Sequence, residues 1–383
     1  MFLVPWLLLV PFVLQSVSQN DWPNLKQLFS APAKHWHAQP GPWGQLTCED
    51  VELSAPERCD ASLCPTNQPR WFFRESSTEE IAAFFRSAGC ADPQVADLLQ
   101  TAVSQTNGWL ILPKADLVYG LSAQTRARIY AHLAQFLSNP GQAFAYRWTR
   151  REFNHWLGAS GFAPATKKMI EHLLYSDGEH VFFADEWLLF QRMAKDAEKI
   201  KVLENFLRVK AVIVILHVDH EANVAELADY WGAGGRTREL LPILRGLADR
   251  PEGGDIGLSK LLPPFARSRL YTYPFMQGRS DCNWTTLNFF SSTPSEAFTG
   301  PQLREIFDHQ FVEIDATKAR LGDMVLFRNR SGDIVHSVVY IADDIVFSKN
   351  GISPKKPWVL TTLAEVRNVF WNMPDVGFFR KKS

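Results

Sequence analysis

The sequence predicts an α+β protein in which a mostly helical N-terminal domain precedes a smaller domain made of one helix and short strands. Apolar residues recur at helical spacing through much of residues 77–265, whereas the alternation typical of strands begins near Gly322. The chain has 383 residues, of which 46% are hydrophobic and 21% are charged. This length and composition indicate about two folded domains with buried cores. We place their boundary near residue 265, where Pro263 and Pro264 end a helix.

The N-terminus predicts export from the cell. Residues 2–14 form an apolar run, and small residues follow at positions 16–18, at the spacing that a signal peptidase recognises. The run is too short to span a bilayer as a helix. We therefore expect a signal peptide over residues 1–18, a secreted or periplasmic protein, and no stable membrane insertion after cleavage. The alternative is an uncleaved membrane anchor.

The overall charge argues against a nucleic-acid partner. Lys and Arg total 40 and Asp and Glu total 41, so the formal net charge is −1. Such a chain has no general attraction for phosphate backbones or acidic membranes.

The five cysteines divide into a cluster and one isolated residue. Cys48, Cys59, Cys64 and Cys90 lie near the N-terminus, whereas Cys282 is far from them in sequence. In an oxidising compartment this pattern predicts two disulfides among the first four, with three pairings open, and one free thiol at Cys282.

The elements follow in order from the local sequence. Residues 19–76 are rich in Trp and Pro and predict an irregular segment that contains cysteines. Residues 77–80 carry the hydroxyl and acidic side chains of a helix start, and helices are predicted through residue 265. Residues 211–216 predict either a buried strand or an extension of the helix before them. Further candidate helices cover residues 92–105, 122–138, 148–157, 164–174, 185–209 and 223–231.

The region after residue 265 has a different pattern. Residues 282–290 predict a short helix, and residues 303–308 predict another. Three strands are then expected, over residues 324–327, 334–341 and 345–348, with polar or Gly-containing turns between them. One helix followed by a meander of strands is an α+β arrangement.

Cys282 and His336 are the candidate catalytic residues. Cys282 follows a possible capping residue, Asp281, and lies in the first turn of a predicted helix, where backbone N–H groups favour a thiolate. His336 lies early in a predicted strand, where it could accept the thiol proton. A third polar group on the next strand, Ser348 or Asn350, could orient the imidazole.

These residues lie in motifs that resemble those of the NlpC-like, papain-fold cysteine peptidases. The motifs are Asp281-Cys282, the run LGDMVLF at residues 321–327, and the run HSVVYIADD at residues 336–344. The resemblance covers about residues 270–351. It implies a papain-like domain over residues 266–383 with a helix packed on a small antiparallel sheet.

The same resemblance assigns roles to individual residues. It implies that Cys282 is the nucleophile, that His336 is the base, and that Tyr273 matches a tyrosine found upstream of the family's cysteine. The third catalytic position falls on Ser348 or, two residues later, on Asn350. The implied activity is a peptidase or amidase that acts on a peptide or amide, with cell-wall peptides (peptidoglycan) as the family's typical substrate. No metal or organic cofactor is required.

Two other functions remain open from the sequence. The first is a secreted binding or structural protein whose papain-like domain has lost its activity. The second is a metal-dependent hydrolase that uses His217, Asp219 and His220, because His and carboxylate side chains are zinc ligands.

Overall fold

The computed structural model describes residues 34–55, 59–65, 68–274, 281–298, 303–351, 353 and 355–382. The predicted signal peptide lies outside the described residues. The fold is mixed, with 42% helix and 25% strand, and its strands form several small antiparallel sheets. Within the described part of the chain, none of the helices combines the length and the apolar character needed to cross a membrane.

The helices lie mainly between residues 78 and 269. Those up to residue 207 are α1 (Thr78–Ala88), α2 (Asp92–Gln100), α3 (Ala115–Gly120), α4 (Ala123–Leu133), α5 (Pro140–Ala143), α6 (Arg150–Ala159), α7 (Pro164–Leu173), α8 (Glu186–Arg192) and α9 (Asp196–Leu207). The later ones are α10 (Val224–Trp231), α11 (Thr237–Ala248), α12 (Leu258–Leu261), α13 (Pro264–Arg269), α14 (Cys282–Leu287), α15 (Leu303–Gln310) and α16 (Leu363–Val369).

Three of the sheets form before residue 265, in a region for which the sequence predicted helices almost throughout. One has four strands in the order β1 (Lys34–His37), β2 (Gln45–Leu53), β9 (Val209–Val218) and β10 (Gly254–Gly257). Two have three strands, in the orders β3 (Trp71–Arg74), β5 (Gly108–Ile111), β4 (Val103–Gln105) and β6 (Tyr146–Thr149), β8 (His180–Phe183), β7 (Tyr175–Ser176).

The fourth sheet has six strands and carries most of the candidate site. Their spatial order is β11 (Phe311–Ile314), β16 (Asp375–Lys381), β12 (Met324–Arg328), β13 (Ile334–Ala342), β14 (Ile345–Lys349) and β15 (Trp358–Thr362). The predicted meander of three strands is therefore present as β12, β13 and β14, paired antiparallel in sequence order.

The prediction of an irregular segment over residues 19–76 is wrong for its described part, because β1, β2 and β3 lie within it. Strand β2 pairs with β9 along its whole length, from Gln45 opposite His217 to Leu53 opposite Val209. Buried Leu46 and Cys48 alternate with less buried neighbours on β2, so the cysteine packs as a small apolar residue. Residues 211–216, which the sequence predicted as either a strand or an extension of the preceding helix, lie within strand β9.

The predicted disulfides do not form among the cysteines, all of which the structure describes as free thiols. Cys48 packs in an apolar cluster with Leu216. Cys64 and Cys90 belong to a different cluster, the core of the helical region. The first four cysteines are close in sequence, but the fold distributes them between two cores.

One apolar cluster continues across residue 265. It joins Leu216 and Trp231 from the first part of the chain to Trp284, Phe347 and Trp358 from the second part. Proline residues at 263 and 264 end α12 and begin α13, but they do not separate two cores. The two sides of the expected boundary therefore share buried surface.

The two faces of the six-stranded sheet pack against different helices. Val339 packs with Trp284 of α14, and we call this side the α14 face. Val338 and Val346 pack with Phe370, directly after α16, and we call this side the α16 face. Neighbouring residues of β13 therefore contact different helices, as strand alternation requires.

Candidate functional site

Cys282 is the first residue of α14, as the sequence predicts. The carboxylate of Asp281 accepts a hydrogen bond from the Trp284 backbone N–H at 2.7 Å, and the Thr285 hydroxyl donates to the Asp281 carbonyl at 2.7 Å. Asp281 is thus the N-cap, which fixes where the helix begins. The Cys282 residue is only 5% exposed.

The environment of the sulfur keeps Cys282 protonated at neutral pH. The backbone N–H groups of Ser337 and Asn283 lower its pKa, as the position at a helix start predicts. Burial has a larger effect in the opposite direction and, with the negative charge of Asp281, raises the pKa of the Cys282 thiol to about 11. The expected thiolate is therefore disfavoured, because the sulfur is buried and lies next to the carboxylate of Asp281.

His336 lies fully buried on the α16 face. Its ring stacks on Phe370 with 4.0 Å between ring centroids and 11° between ring planes. Burial, followed by the positive charge of Lys349, lowers the pKa of His336 to about 3. The imidazole is therefore neutral at physiological pH.

The structure brings His336, Ser348 and Asn350 together in a chain of hydrogen bonds. His336 Nε2 lies 3.3 Å from Ser348 Oγ, and the Ser348 hydroxyl donates to Asn350 Oδ1 at 2.7 Å. Because the single hydroxyl proton of Ser348 is used in this second bond, Nε2 must carry the ring proton. Among the residues that the structure describes, the other ring nitrogen, Nδ1, has no hydrogen-bond partner.

Cys282 and His336 do not face each other. The Ser337 hydroxyl donates to Asn283 Oδ1 at 2.8 Å and lies 3.0 Å from Thr286 Oγ1, so Ser337 points to α14. His336 is the preceding residue on the same strand and points to the α16 face. The expected contact between the thiol and the imidazole is therefore not formed in this structure. Strand alternation puts His336 and Val338 on one face of β13, but the sequence alone does not indicate which face receives α14.

Lys349 is a titratable base on the same face of the sheet as Cys282. It follows Ser348 on β14, and its fully buried ammonium donates to the carbonyls of Gly351 at 2.7 Å and Ser353 at 3.1 Å. The ammonium lies 5.7 Å from the centre of the Trp358 ring, whose indole N–H donates to Thr285 of α14.

Burial also shifts the titration of Lys349. It lowers the pKa of the ammonium to about 8, although the negative charge of Asp281, and that of Cys282 when it is ionised, act in the opposite direction. Reciprocally, the positive charge of Lys349 lowers the pKa of Cys282. Lys349 was not identified as a functional candidate from the sequence, although the alternation of a strand puts it on the opposite face from Ser348.

Tyr273 is not part of this group of residues. Its hydroxyl donates to the Ser54 carbonyl at 2.9 Å, and its ring packs beside apolar residues of β2 and β9. Burial raises its pKa above the usual range. The resemblance assigned Tyr273 to the catalytic site, but the structure places it against the four-stranded sheet.

The candidate metal ligands do not form a metal site in the described part of the chain. His217 Nδ1 lies 2.7 Å from Asp255 Oδ1, across the antiparallel pair β9 and β10. Among the described residues, no group of three or more His, Cys, Asp or Glu side chains is placed to hold a metal ion.

Comparisons with known proteins give no relative from which a function could be transferred. No family model matches the chain, and neither a curated protein nor a solved structure is significantly similar to it.

Proposed function

We propose that the protein is an exported cysteine hydrolase that cleaves peptide or other amide bonds. Its C-terminal region is a papain-related module of the NlpC-like type, Cys282 is the nucleophile, and Lys349 takes the role of base that the family resemblance gave to His336. The observation that carries this proposal is the burial of Lys349 on β14, where strand alternation puts it with Phe347 on the face that packs against Trp284 of α14.

The hydrogen bonds of Lys349 suit a proton acceptor. A neutral amine has two N–H donors and one lone pair, and the carbonyls of Gly351 and Ser353 accept from two donors. The lone pair then remains for the thiol proton. A base with a pKa of about 8 has an appreciable neutral fraction near pH 7.

The reaction follows from this arrangement. Lys349 accepts the thiol proton, and the Cys282 thiolate adds to the amide carbonyl carbon. The backbone N–H of Cys282, at the start of α14, donates to the resulting oxyanion. The C–N bond then breaks, the leaving amine takes the proton from Lys349, and water hydrolyses the thioester to release the acid and restore the thiol.

Hydrolysis by the full-length protein tests this proposal. We expect amine release from peptide amides or purified peptidoglycan, with a thioester adduct on Cys282 detected by intact mass spectrometry. Cys282→Ala should abolish release, and Lys349→Met should reduce it by about 100-fold or more, the usual contribution of a general base. Cys48→Ala is the matched control, since Cys48 is also a buried thiol. Absence of release with every substrate would overturn the proposal.

A second candidate function is a secreted binding or structural protein without catalysis. The observation in its favour is the enclosure of the thiol, which is 5% exposed and has a pKa of about 11. This function predicts that iodoacetamide labels Cys282 slowly and that Lys349→Met leaves the labelling rate unchanged. The hydrolase predicts that the same variant slows labelling.

A further inference from the structure

A cavity of about 520 Å³ lies beside α14, one residue away from Cys282. Its wall combines the buried apolar residues Phe307 of α15 and Leu326 of β12 with polar side chains that include Asp308 and Asp333. Phe379 of β16 and Leu303 of α15 extend this wall. The volume lies within the range of about 300–1,000 Å³ that is typical of small-molecule sites.

Asn283 connects the cavity to the neighbourhood of the sulfur. It lines the cavity, and its side-chain oxygen accepts a hydrogen bond from the hydroxyl of Ser337. Ser337 lies directly opposite Leu326 in the pairing of β12 with β13. The backbone N–H groups of the same two residues, Asn283 and Ser337, lower the pKa of the Cys282 thiol. The end of the cavity beside Leu326 is therefore the end nearest the nucleophile.

The charged side chains of the cavity wall are Arg328, Asp308 and Asp333, and the charge of Arg328 is already neutralised. Arg328 Nε lies 2.7 Å from Asp375 Oδ2, and the guanidinium lies over the ring of Phe379, 5.2 Å from its centroid. An acidic ligand would have to compete with this ion pair. An apolar group does not have to break this ion pair, and it displaces water from the aliphatic and aromatic part of the wall.

We infer that this cavity binds the apolar side chain of the substrate residue that supplies the scissile carbonyl. The inference rests on the proposed hydrolase. With the carbonyl at the start of α14, a side chain that leads past Asn283 enters the cavity near Leu326. The substrates favoured by this site are therefore amides of residues with bulky apolar side chains.

Two chloromethyl ketones with the same reactive group test this inference. One is derived from phenylalanine and carries a benzyl side chain, and the other is derived from alanine and carries a methyl group. The rate at which each alkylates Cys282 in the full-length protein is measured by intact mass. We expect the benzyl reagent to react at least about tenfold faster, the discrimination that an apolar pocket provides.

Variants of the cavity wall provide the control. Leu303→Trp should fill the cavity and reduce the rate ratio towards one. Val312→Trp should not change the ratio, because Val312 is 48% exposed on β11 and does not line the cavity. Ile334→Asn, which makes another part of the wall polar, gives a second variant if Leu303→Trp does not fold.

The possible outcomes separate the two proposals. If both reagents label Cys282 at the same rate, or if Leu303→Trp and Ile334→Asn leave the ratio unchanged, the inference about the cavity is wrong while the nucleophile stands. If neither reagent labels Cys282, the proposed hydrolase fails and the inference fails with it.

Discussion

Burial sets the protonation of Cys282 on α14, His336 on β13 and Lys349 on β14. It raises the pKa of Cys282 and lowers the pKa values of His336 and Lys349. The backbone N–H groups at the helix start and the neighbouring charges shift the pKa values of these groups by smaller amounts. At neutral pH the site therefore holds a thiol, a neutral imidazole and an ammonium that loses its proton near pH 8.

The buried imidazole predicts a specific loss of stability in acid. His336 has a pKa of about 3 in the folded protein and 6.5 as an ordinary histidine, so unfolding takes up a proton at pH values between these limits. The stabilising contribution is complete above pH 6.5 and is lost as the pH falls towards 3. Near pH 5, the free energy of unfolding should change more steeply in wild type than in His336→Phe, by about 1.4 kcal/mol per pH unit.

Denaturant unfolding of both proteins between pH 4 and 7 measures this difference. His336→Phe keeps an aromatic ring beside Phe370 but has no titratable group, so it is the matched control. Parallel stability curves for the two proteins would contradict a neutral, buried His336.

Sequence reasoning succeeded at this scale where a local rule applies. Asp281 caps the helix that begins at Cys282, and Ser348 and Asn350 lie beside His336. It did not identify Lys349, because the loss of hydration that shifts a lysine pKa depends on residues distant in sequence, such as Trp358.

At the scale of elements, strand β13 determines which residues meet the nucleophile. Its side chains alternate between two helices, so a shift of one position moves a residue from the α16 face to the α14 face. The sequence predicted the strand and its alternation. The helix that covers each face depends on packing between α14, α16 and the sheet, which no local pattern encodes.

Exchanging two neighbours on β13 tests this alternation. The double variant His336→Ser/Ser337→His should place an imidazole beside Asn283 on the α14 face. We expect Cys282 in this variant to react with iodoacetamide at pH 7 about tenfold faster than in wild type, because a nearby base stabilises the reactive thiolate. Ser337→Ala is the control, since it removes the hydroxyl without adding a base. Slower labelling of the double variant would place His336 on the sulfur's face in the wild type.

The turn before β12 supports a second prediction about an element. Gly322 has φ +93°, and a Cβ atom there would lie 2.2 Å from the Phe290 ring. Gly332, in the turn before β13, has φ +80° and open space around it. Gly332→Ala should reduce the free energy of unfolding by about 1 kcal/mol through backbone strain alone. Gly322→Ala should cost roughly 2–3 kcal/mol, because the ring must also move.

Thermal and denaturant unfolding of the two variants measures these costs. In a Phe290→Ala background, Gly322→Ala should reduce the free energy of unfolding by only about 1 kcal/mol, because the backbone strain remains and the clash with the ring is gone. Equal destabilisation by the two single glycine substitutions would show that Phe290 does not constrain this turn.

At the scale of the whole molecule, the apolar cluster that crosses residue 265 joins the two parts of the chain. Strand β9 of the four-stranded sheet contacts β15 of the six-stranded sheet. The sequence predicted a change in pattern at this point, from helices to strands, but strands lie on both sides of Pro264 and form three sheets before it. It did not predict a shared core, because cores form between segments that are distant in sequence.

The shared core predicts that residues 266–383 do not fold alone. Without the first part of the chain, Trp284, Phe347 and Trp358 lose apolar partners that include Leu216 and Trp231. We expect the isolated fragment to show no cooperative thermal transition by circular dichroism, whereas the full chain unfolds cooperatively. A fragment that melts cooperatively at the temperature of the full chain would show that the two parts are independent domains.

The pairing of Cys282 with Lys349 is tested most directly by the pH dependence of Cys282 alkylation. The rate of iodoacetamide labelling between pH 6 and 10 is measured by intact mass for wild type, Lys349→Met and His336→Phe. We predict that Lys349→Met slows labelling at pH 8 and moves its profile to higher pH, because the variant loses the charge that lowers the thiol pKa, while His336→Phe follows wild type. Slower labelling in His336→Phe with an unchanged Lys349→Met profile would contradict this pairing.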